Sequence, residues 1–354
     1  MKKLIVTLAF LALACVPARC ADKTMAELNP DFEGRIQQAI KTDGTKPFVL
    51  YHISDMHSDG GAFARLVAFY ETYEKYFDGA LCTGDLVGAS YVSDFDYWGK
   101  TPGHEKIMNL IGNHDTLRDH GDWRPGTWEN QITMREAYDR YMGPFIKKWN
   151  VVYEEGKTYY FKDYNDKKVR LIVIDCMLRN SKEPEAQNAQ LRWFKECLMG
   201  AKVKGYHVVA ATHFQMRNAH GLKCNFTEAN LEEGAWYEEL NAYQAAVDRF
   251  MKTGGNFVCW IGGHGHWDYI ATNPAYPEQY DICIAAACGP QCEAYSTMKR
   301  TPGTKDWDLA NAFVVDTDKN LVKLIRIGCD HDATVSDRHE MEFNYKTKEI
   351  LKQN

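Results

Sequence analysis

Apolar positions along the chain fall into two alternating patterns. Lys46 to Ile53 (KPFVLYHI) is a short continuous apolar run and predicts a buried strand. From Gly61 to Phe77 the residues Phe63, Leu66, Val67, Phe69, Tyr70, Tyr73 and Phe77 recur at helical spacing. Further strands are predicted at 80–83, 107–111 and 169–176, with 159–161 pairing beside the last. Helices are predicted at 185–201 and 234–252, and strands at 207–212, 257–261, 282–286, 313–316 and 321–327. Asp316-Thr317-Asp318-Lys319-Asn320 reads as a hairpin turn joining the last two. This alternation predicts an α/β architecture whose sheets are buried on both faces. No internal repeat or low-complexity tract interrupts it.

The first twenty residues follow a different rule. Met1-Lys2-Lys3 precedes an apolar run from Leu4 to Ala14. Two positive charges before a run of that length have the form of a secretory signal, and Ala12-Leu13-Ala14 has the form of its cleavage site. The predicted division is a signal peptide over 1–20, cleaved near 14–20, a lead-in over 21–45, and one catalytic domain over 46–354. Cys15 directly follows Ala14, so a lipid anchor at Cys15 is the second reading of the same leader. Both place the mature protein outside the cytoplasm, periplasmic or extracellular. The run is shorter than the roughly 20 apolar residues a membrane span needs, so no transmembrane helix is expected.

Composition narrows the function. The chain has 354 residues, 45% hydrophobic and 25% charged, as globular proteins do. With 42 Lys and Arg against 48 Asp and Glu, the net charge is −6. That lacks the basic field a nucleic-acid duplex would require. Eleven cysteines are too irregularly spaced for zinc fingers. Cys82, Cys176, Cys259 and Cys283 lie in apolar strands and read as small buried hydrophobes. Cys224, Cys288 and Cys292 lie in loop-like sequence and are the disulfide candidates of an exported protein.

Five short motifs sit where predicted strands end: Ser54-Asp55-Met56-His57, Thr83-Gly84-Asp85, Gly112-Asn113-His114-Asp115, Thr212-His213 and Gly263-His264-Gly265-His266. Ligand sites of α/β sheets gather beyond the carboxyl ends of the strands, so motifs spanning residues 55 to 266 can converge. They supply carboxylate, amide and imidazole groups and no thiol, a donor set suited to Mn, Fe or Zn. In Asp55-x-His57 and His264-x-His266 an extended backbone would point both side chains the same way. Glycines beside Asp85, Asn113 and His264 allow close backbone approach. One Asp can bridge two cations with its two oxygens. Each motif alone is weak; their joint occurrence, in order, is specific.

Together the motifs resemble the signature of the calcineurin-like metallophosphoesterase superfamily, over roughly residues 46 to 330. The resemblance implies a four-layer α/β/β/α sandwich of two mixed β-sheets. It implies two divalent metal ions, one held by Asp55, His57, Asp85 and His266. The other would be held by Asp85, Asn113, His213 and His264, with Asp85 as the bridge. It further implies hydrolysis of a small phosphoester by in-line attack of a metal-bridging hydroxide. His114, outside the ligand set, would donate a proton to the leaving oxygen, and Asp115 would orient it. Arg118 is a candidate for a phosphate oxygen.

Departures from subfamily patterns favour a phosphodiesterase-like branch. Asp85 is followed by Leu86-Val87-Gly88, without the acidic-Arg-Gly run of protein phosphatases, and Gly88 stands where purple acid phosphatases carry a tyrosine ligand. Too little chain follows His266 for the substrate domain of secreted 5′-nucleotidases. The competing reading is a catalytically inactive member serving as a binding scaffold, although every ligand position is intact. Aromatics between the motifs (Tyr91, Phe95, Tyr97, Trp98, Trp123, Trp128, Tyr138, Tyr141) could stack on substrate, but each reads more simply as packing. His52 and His207 read as core, while His120 and His220 leave motif positions and could touch substrate.

Overall fold

The computed structural model describes residues 23–57, 60–88, 98–116, 132–177, 184–214, 216, 235–266, 268–273, 275–287, 300–330 and 340–353. The strands are β1 (Phe48–Ile53), β2 (Gly79–Cys82), β3 (Met108–Asn109), β4 (Val152–Tyr153), β5 (Tyr160–Tyr164), β6 (Val169–Val173) and β7 (His207–Ala211). They continue as β8 (Asn256–Gly262), β9 (Tyr269–Asn273), β10 (Tyr276–Cys283), β11 (Leu309–Asp316), β12 (Leu321–Gly328), β13 (Met341–Asn344) and β14 (Ile350–Gln353). The helices are α1 (Met25–Leu28), α2 (Phe32–Ala39), α3 (Gly60–Tyr73), α4 (Met134–Ala137), α5 (Gly143–Trp149), α6 (Pro184–Lys204) and α7 (Ala235–Lys252).

The strands form two seven-stranded sheets, ordered β14-β13-β12-β11-β1-β2-β3 and β4-β5-β6-β7-β8-β10-β9. Both are mixed: β1 runs parallel to β2 and antiparallel to β11, and β7 runs parallel to β6 and β8 while β5 opposes β6. Helices flank both sheets, giving the α/β/β/α sandwich. Every residue of β1, β6, β7 and β11 is buried, because each strand is covered on both faces. The sheets meet through groups such as Tyr160, whose hydroxyl donates to the Asn109 carbonyl at 2.9 Å. Phe48 and Tyr164 pack ring to ring at 4.6 Å.

The segment expected as a lead-in is folded. Thr24 caps α1 in a reciprocal capping box with Glu27. Met25, Phe32 and Ile36 then enter the same core as the strands, and Asn29 Oδ1 accepts the Gly328 N–H at 2.9 Å.

Most predicted strands and the three long helices are present, with shifted ends. The strand expected at 282–286 runs instead over Tyr276–Cys283. Its first residues, Tyr276 to Glu278, are half-buried or exposed and so carry no apolar run. The Asp316–Asn320 turn does join β11 to β12, but β13 and β14 follow and extend the first sheet. Of the inter-motif aromatics, Trp98, Tyr138 and Tyr141 are buried packing residues. Tyr91, Phe95, Tyr97, Trp123 and Trp128 lie outside the described residues. So do the leader with Cys15, and Cys224, Cys288 and Cys292. Among the described residues Cys82, Cys176, Cys197, Cys259, Cys283 and Cys329 are buried and in no disulfide, and no helix is long and apolar enough to cross a membrane.

Candidate metal centre

The parallel strands aim their carboxyl ends at one place. Asp55 and His57 follow β1, Asp85 follows β2, Asn113 and His114 follow β3, His213 follows β7, and His264 and His266 follow β8. The backbone delivering them is not extended, as the alternate spacing suggested. Asp55, His57, Asp85, His264 and His266 all adopt positive φ, between 46° and 67°. Left-handed geometry in non-glycine residues costs on the order of 1 kcal/mol each and concentrates at functional sites. Here it reverses the chain at each ligand, so turns rather than strand pleats aim the side chains.

Two glycines make the close approach. A Cβ on Gly112 would collide with the Asp85 carboxylate and amide, and one on Gly263 with Ser54 Oγ and the Asp55 carboxylate. Neither position tolerates a side chain without moving a metal-site carboxylate.

The side chains form two clusters that share Asp85. Asp55, His57, Asp85 and His266 each place one ligand atom within 4.8 Å of the others, and so do Asp85, His213 and His264. His57 Nε2 lies 3.0 Å from His266 Nε2 and 3.5 Å from Asp85 Oδ2. His266 Nε2 is 3.3 Å from Asp55 Oδ1. On the other side His213 Nε2 is 3.2 Å from Asp85 Oδ2 and 3.1 Å from Asn113 Oδ1. A single oxygen, Asp85 Oδ2, thus faces both clusters, while Asp85 Oδ1 accepts the His114 N–H at 2.9 Å. Each cluster can hold a divalent ion. Ligand atoms about 2.1 Å from one ion lie roughly 3–4.3 Å apart, which these spacings approach, and oxygen and imidazole donors suit Mn, Fe or Zn.

Hydrogen bonds fix which atoms are free to ligate. His213 Nδ1–H donates to the Thr83 carbonyl at 2.7 Å, leaving Nε2 toward Asp85 and Asn113. The His264 N–H donates to Asp55 Oδ2 at 2.9 Å, tying the fifth motif to the first.

Burial and mutual charge set the protonation. Burial pushes His57 down to about 4 and, with His213 nearby, His264 down to about 3. Burial would also lower His213, but Asp85 and Asp55 lift it to about 9. Burial alone would raise Asp55 and Asp85; the histidines around them hold both carboxyls below the usual range. At neutral pH the metal-free centre therefore sets ionised Asp55 and Asp85 among neutral His57 and His264 and a protonated His213.

His114 and Asp115 do not pair as expected. His114 Nδ1–H donates to the Gly88 carbonyl at 2.8 Å, and its ring packs edge-on against His57 at 4.5 Å. Asp115 instead accepts the N–H of Gly112 at 2.9 Å and of Val87 at 3.1 Å. It braces the loop after β2 against the loop after β3, and burial with Asp85 nearby raises it to about 7. The orienting group of His114 is a backbone carbonyl, which no side-chain motif could announce. The same holds for Thr83 behind His213. Arg118, His120 and His220 lie outside the described residues. His52 and His207 are buried, as the strand pattern implied.

A family model described as calcineurin-like phosphoesterase matches residues 48–268, more than half of the chain. No curated protein matches the sequence. Among solved structures, a dimetal phosphatase from Danio rerio is similar in fold, with a TM-score of 0.51 at 11% identity, covering 82% of this chain and 98% of that one. A predicted phosphoesterase from Streptococcus pneumoniae aligns with a TM-score of 0.37 at 12% identity, covering 85% of this chain and 99% of that one.

Proposed function

The chain belongs to the calcineurin-like phosphoesterase family, and from that premise we propose that it is a dinuclear-metal phosphoesterase acting outside the cytoplasm. It hydrolyses small phosphoric esters, diesters in preference to monoesters. The observation that carries this reading is Asp85 Oδ2, placed between two clusters that can each hold a divalent ion. Two such ions, when bound, supply Lewis acidity toward phosphoryl oxygens and a nucleophilic water at neutral pH.

The chain's own groups do the rest. Asp55, His57, Asp85 and His266 bind on one side, and Asp85, Asn113, His213 and His264 on the other. Thr83 and Gly88 carbonyls orient His213 and His114. With Nδ1–H held by Gly88, His114 presents Nε2, and a proton carried there passes to the departing oxygen. Asp115 holds two loops in register rather than acting on His114. The diester preference rests on the absence of the sequence features that mark the monoesterase branches. Secretion rests on the charged and apolar leader before Cys15.

The test is direct. The mature protein is stripped of metal, reloaded with Mn, Fe or Zn, and assayed on bis-p-nitrophenyl phosphate and p-nitrophenyl phosphate. Faster turnover of the diester is expected. Silence on both with every metal would leave the fold a binding scaffold and sink the enzyme reading.

A further inference from the structure

Two buried charges outside the clusters face each other across the sandwich. Arg326 of β12 is 1% exposed and Asp268, just before β9, is 3% exposed. Arg326 Nη2 stands 2.5 Å from Asp268 Oδ2, and β12 and β9 belong to different sheets. Nε, Nη1 and Nη2 of Arg326, and Asp268 Oδ2 with them, form no hydrogen bond among the described residues, so the two side chains meet as an ion contact. The other Asp268 oxygen accepts the Ala285 N–H at 3.1 Å.

Such a pair is a poor stabiliser. Desolvation of both ions offsets their attraction, and apolar replacement is often neutral or favourable. Its position supplies another reason for its presence. Asp268 lies two residues beyond His266, on the loop that carries His264 and His266. Arg326 lies on the sheet whose β1, β2 and β3 deliver Asp55, His57, Asp85 and Asn113. The pair also ends a buried polar row. Arg326 is the cross-strand partner of Asn311, and Asn311 of His52. His52 Nε2 is 3.0 Å from Thr83 Oγ1, and the Thr83 carbonyl supports His213. The row therefore runs from the loop of His266 to the support of His213.

We propose that Arg326, acting through Asp268, is a positioning residue. It is a strut that fixes the spacing between the ligand loops of the two sheets and thereby the affinity of the centre for metal. Arg326 touches no ligand, so its effect passes through the loop that Asp268 anchors. This rests on the metal-centre reading above.

The experiment is Co(II) titration of the metal-stripped protein, followed by visible absorption and calorimetry without substrate. Arg326→Met combined with Asp268→Asn removes both charges and keeps the acceptor for Ala285. We expect its metal-free melting temperature to stay at or above that of the wild type. We expect Co(II) affinity to fall tenfold or more, as loss of an outer support typically costs, with an altered Co(II) spectrum. A merely structural pair would move the melting temperature and leave the spectrum alone. Asp268→Glu keeps the ion pair but lengthens the strut by one methylene, and it carries the test if the double variant does not fold. Its Co(II) affinity should fall as well. Wild-type affinity and spectrum in either folded variant overturn the proposal. Failure of the wild-type protein to bind Co(II) is a separate result that overturns the metal-centre reading and this proposal with it.

Discussion

The Nε2 atoms of His57 and His266 stand 3.0 Å apart although 209 residues separate them in the chain. Burial keeps His57 neutral at pH 7, so this pair makes at most one N–H···N bond and otherwise sets lone pair against lone pair. A cation relieves that. Mn, Fe or Zn added to metal-stripped protein should raise its melting temperature by several degrees, since a ligand at 100 times its dissociation constant adds about 2.7 kcal/mol. Calorimetry with each ion in turn measures it. An unchanged transition with all three would mean that the clusters hold no metal.

Asp85 raises His213 to about 9, so His213 carries a proton at neutral pH in the metal-free protein. Its Nδ1–H is committed to Thr83, and ligation uses Nε2. Metal uptake at pH 7 must therefore expel that proton. Titration calorimetry in two buffers of different ionisation enthalpy should report release of at least one proton per molecule, the His213 proton, with any ionised metal-bound water adding to it. Equal heats in both buffers would contradict the assignment.

Asp85→Ala removes the one carboxylate common to both clusters and the acceptor of the His114 N–H. Metal stoichiometry should fall from two to none or one at accessible concentrations, and activity should vanish with it. Retention of two tightly bound ions, measured by elemental analysis after gel filtration, would show that the clusters do not depend on a shared bridge.

His114→Ala tests a different claim. The His114 ring is held by Gly88 and packed on His57, outside both clusters. The variant should keep two ions while kcat drops by roughly 10²–10⁴, the usual contribution of a general acid. The loss should be largest for esters with poor leaving groups. Loss of metal instead would move His114 into the ligand set. Asp115→Asn should act otherwise, through stability. It replaces one of the two acceptors of the Val87 and Gly112 N–H groups by a donor and costs about 1–3 kcal/mol.

The motif chemistry was legible because each ligand is a polar side chain set directly after an apolar strand, so Asp55, Asp85 and His264 stand out against β1, β2 and β8. The device that aims them was not, because positive φ at non-glycine residues such as Asp55 and His266 leaves no residue-type signal in the sequence. Helices α4 and α5 went unread although Thr133 and Glu136 form a capping box. The four-residue α4 passes through a π-helical turn (Tyr138–Met142) into α5, and that turn breaks the 3.6 period. Strands β13 and β14 leave no clear pattern because each has only four residues, and β14 forms the sheet edge. Arg326 did leave a trace. Val322, Leu324 and Arg326 share one face of β12, and an arginine ending an apolar series on a buried strand needs a partner from elsewhere.

Far from the metal centre, His207 at the start of β7 meets the Tyr345 hydroxyl through Nδ1 at 2.5 Å. Burial, with Lys346 and Lys168 nearby, pushes His207 down to about 4, against about 6.5 in an unfolded chain. The folded form thus resists protonation where the unfolded form accepts it. Between pH 6.5 and 4 the unfolded state binds more protons, so stability rises with pH across that window. The contribution is complete above pH 6.5 and is lost as pH falls toward 4. After discounting for partial solvation it should amount to about 1–2 kcal/mol. Urea unfolding of the metal-stripped protein at pH 7.0, 6.0, 5.0 and 4.5 measures the slope. His207→Gln keeps a polar group beside Tyr345 and removes the titration, so its stability should fall less steeply over the same range. Parallel curves for the two proteins would mean that other groups carry the acid sensitivity of this end of the sandwich.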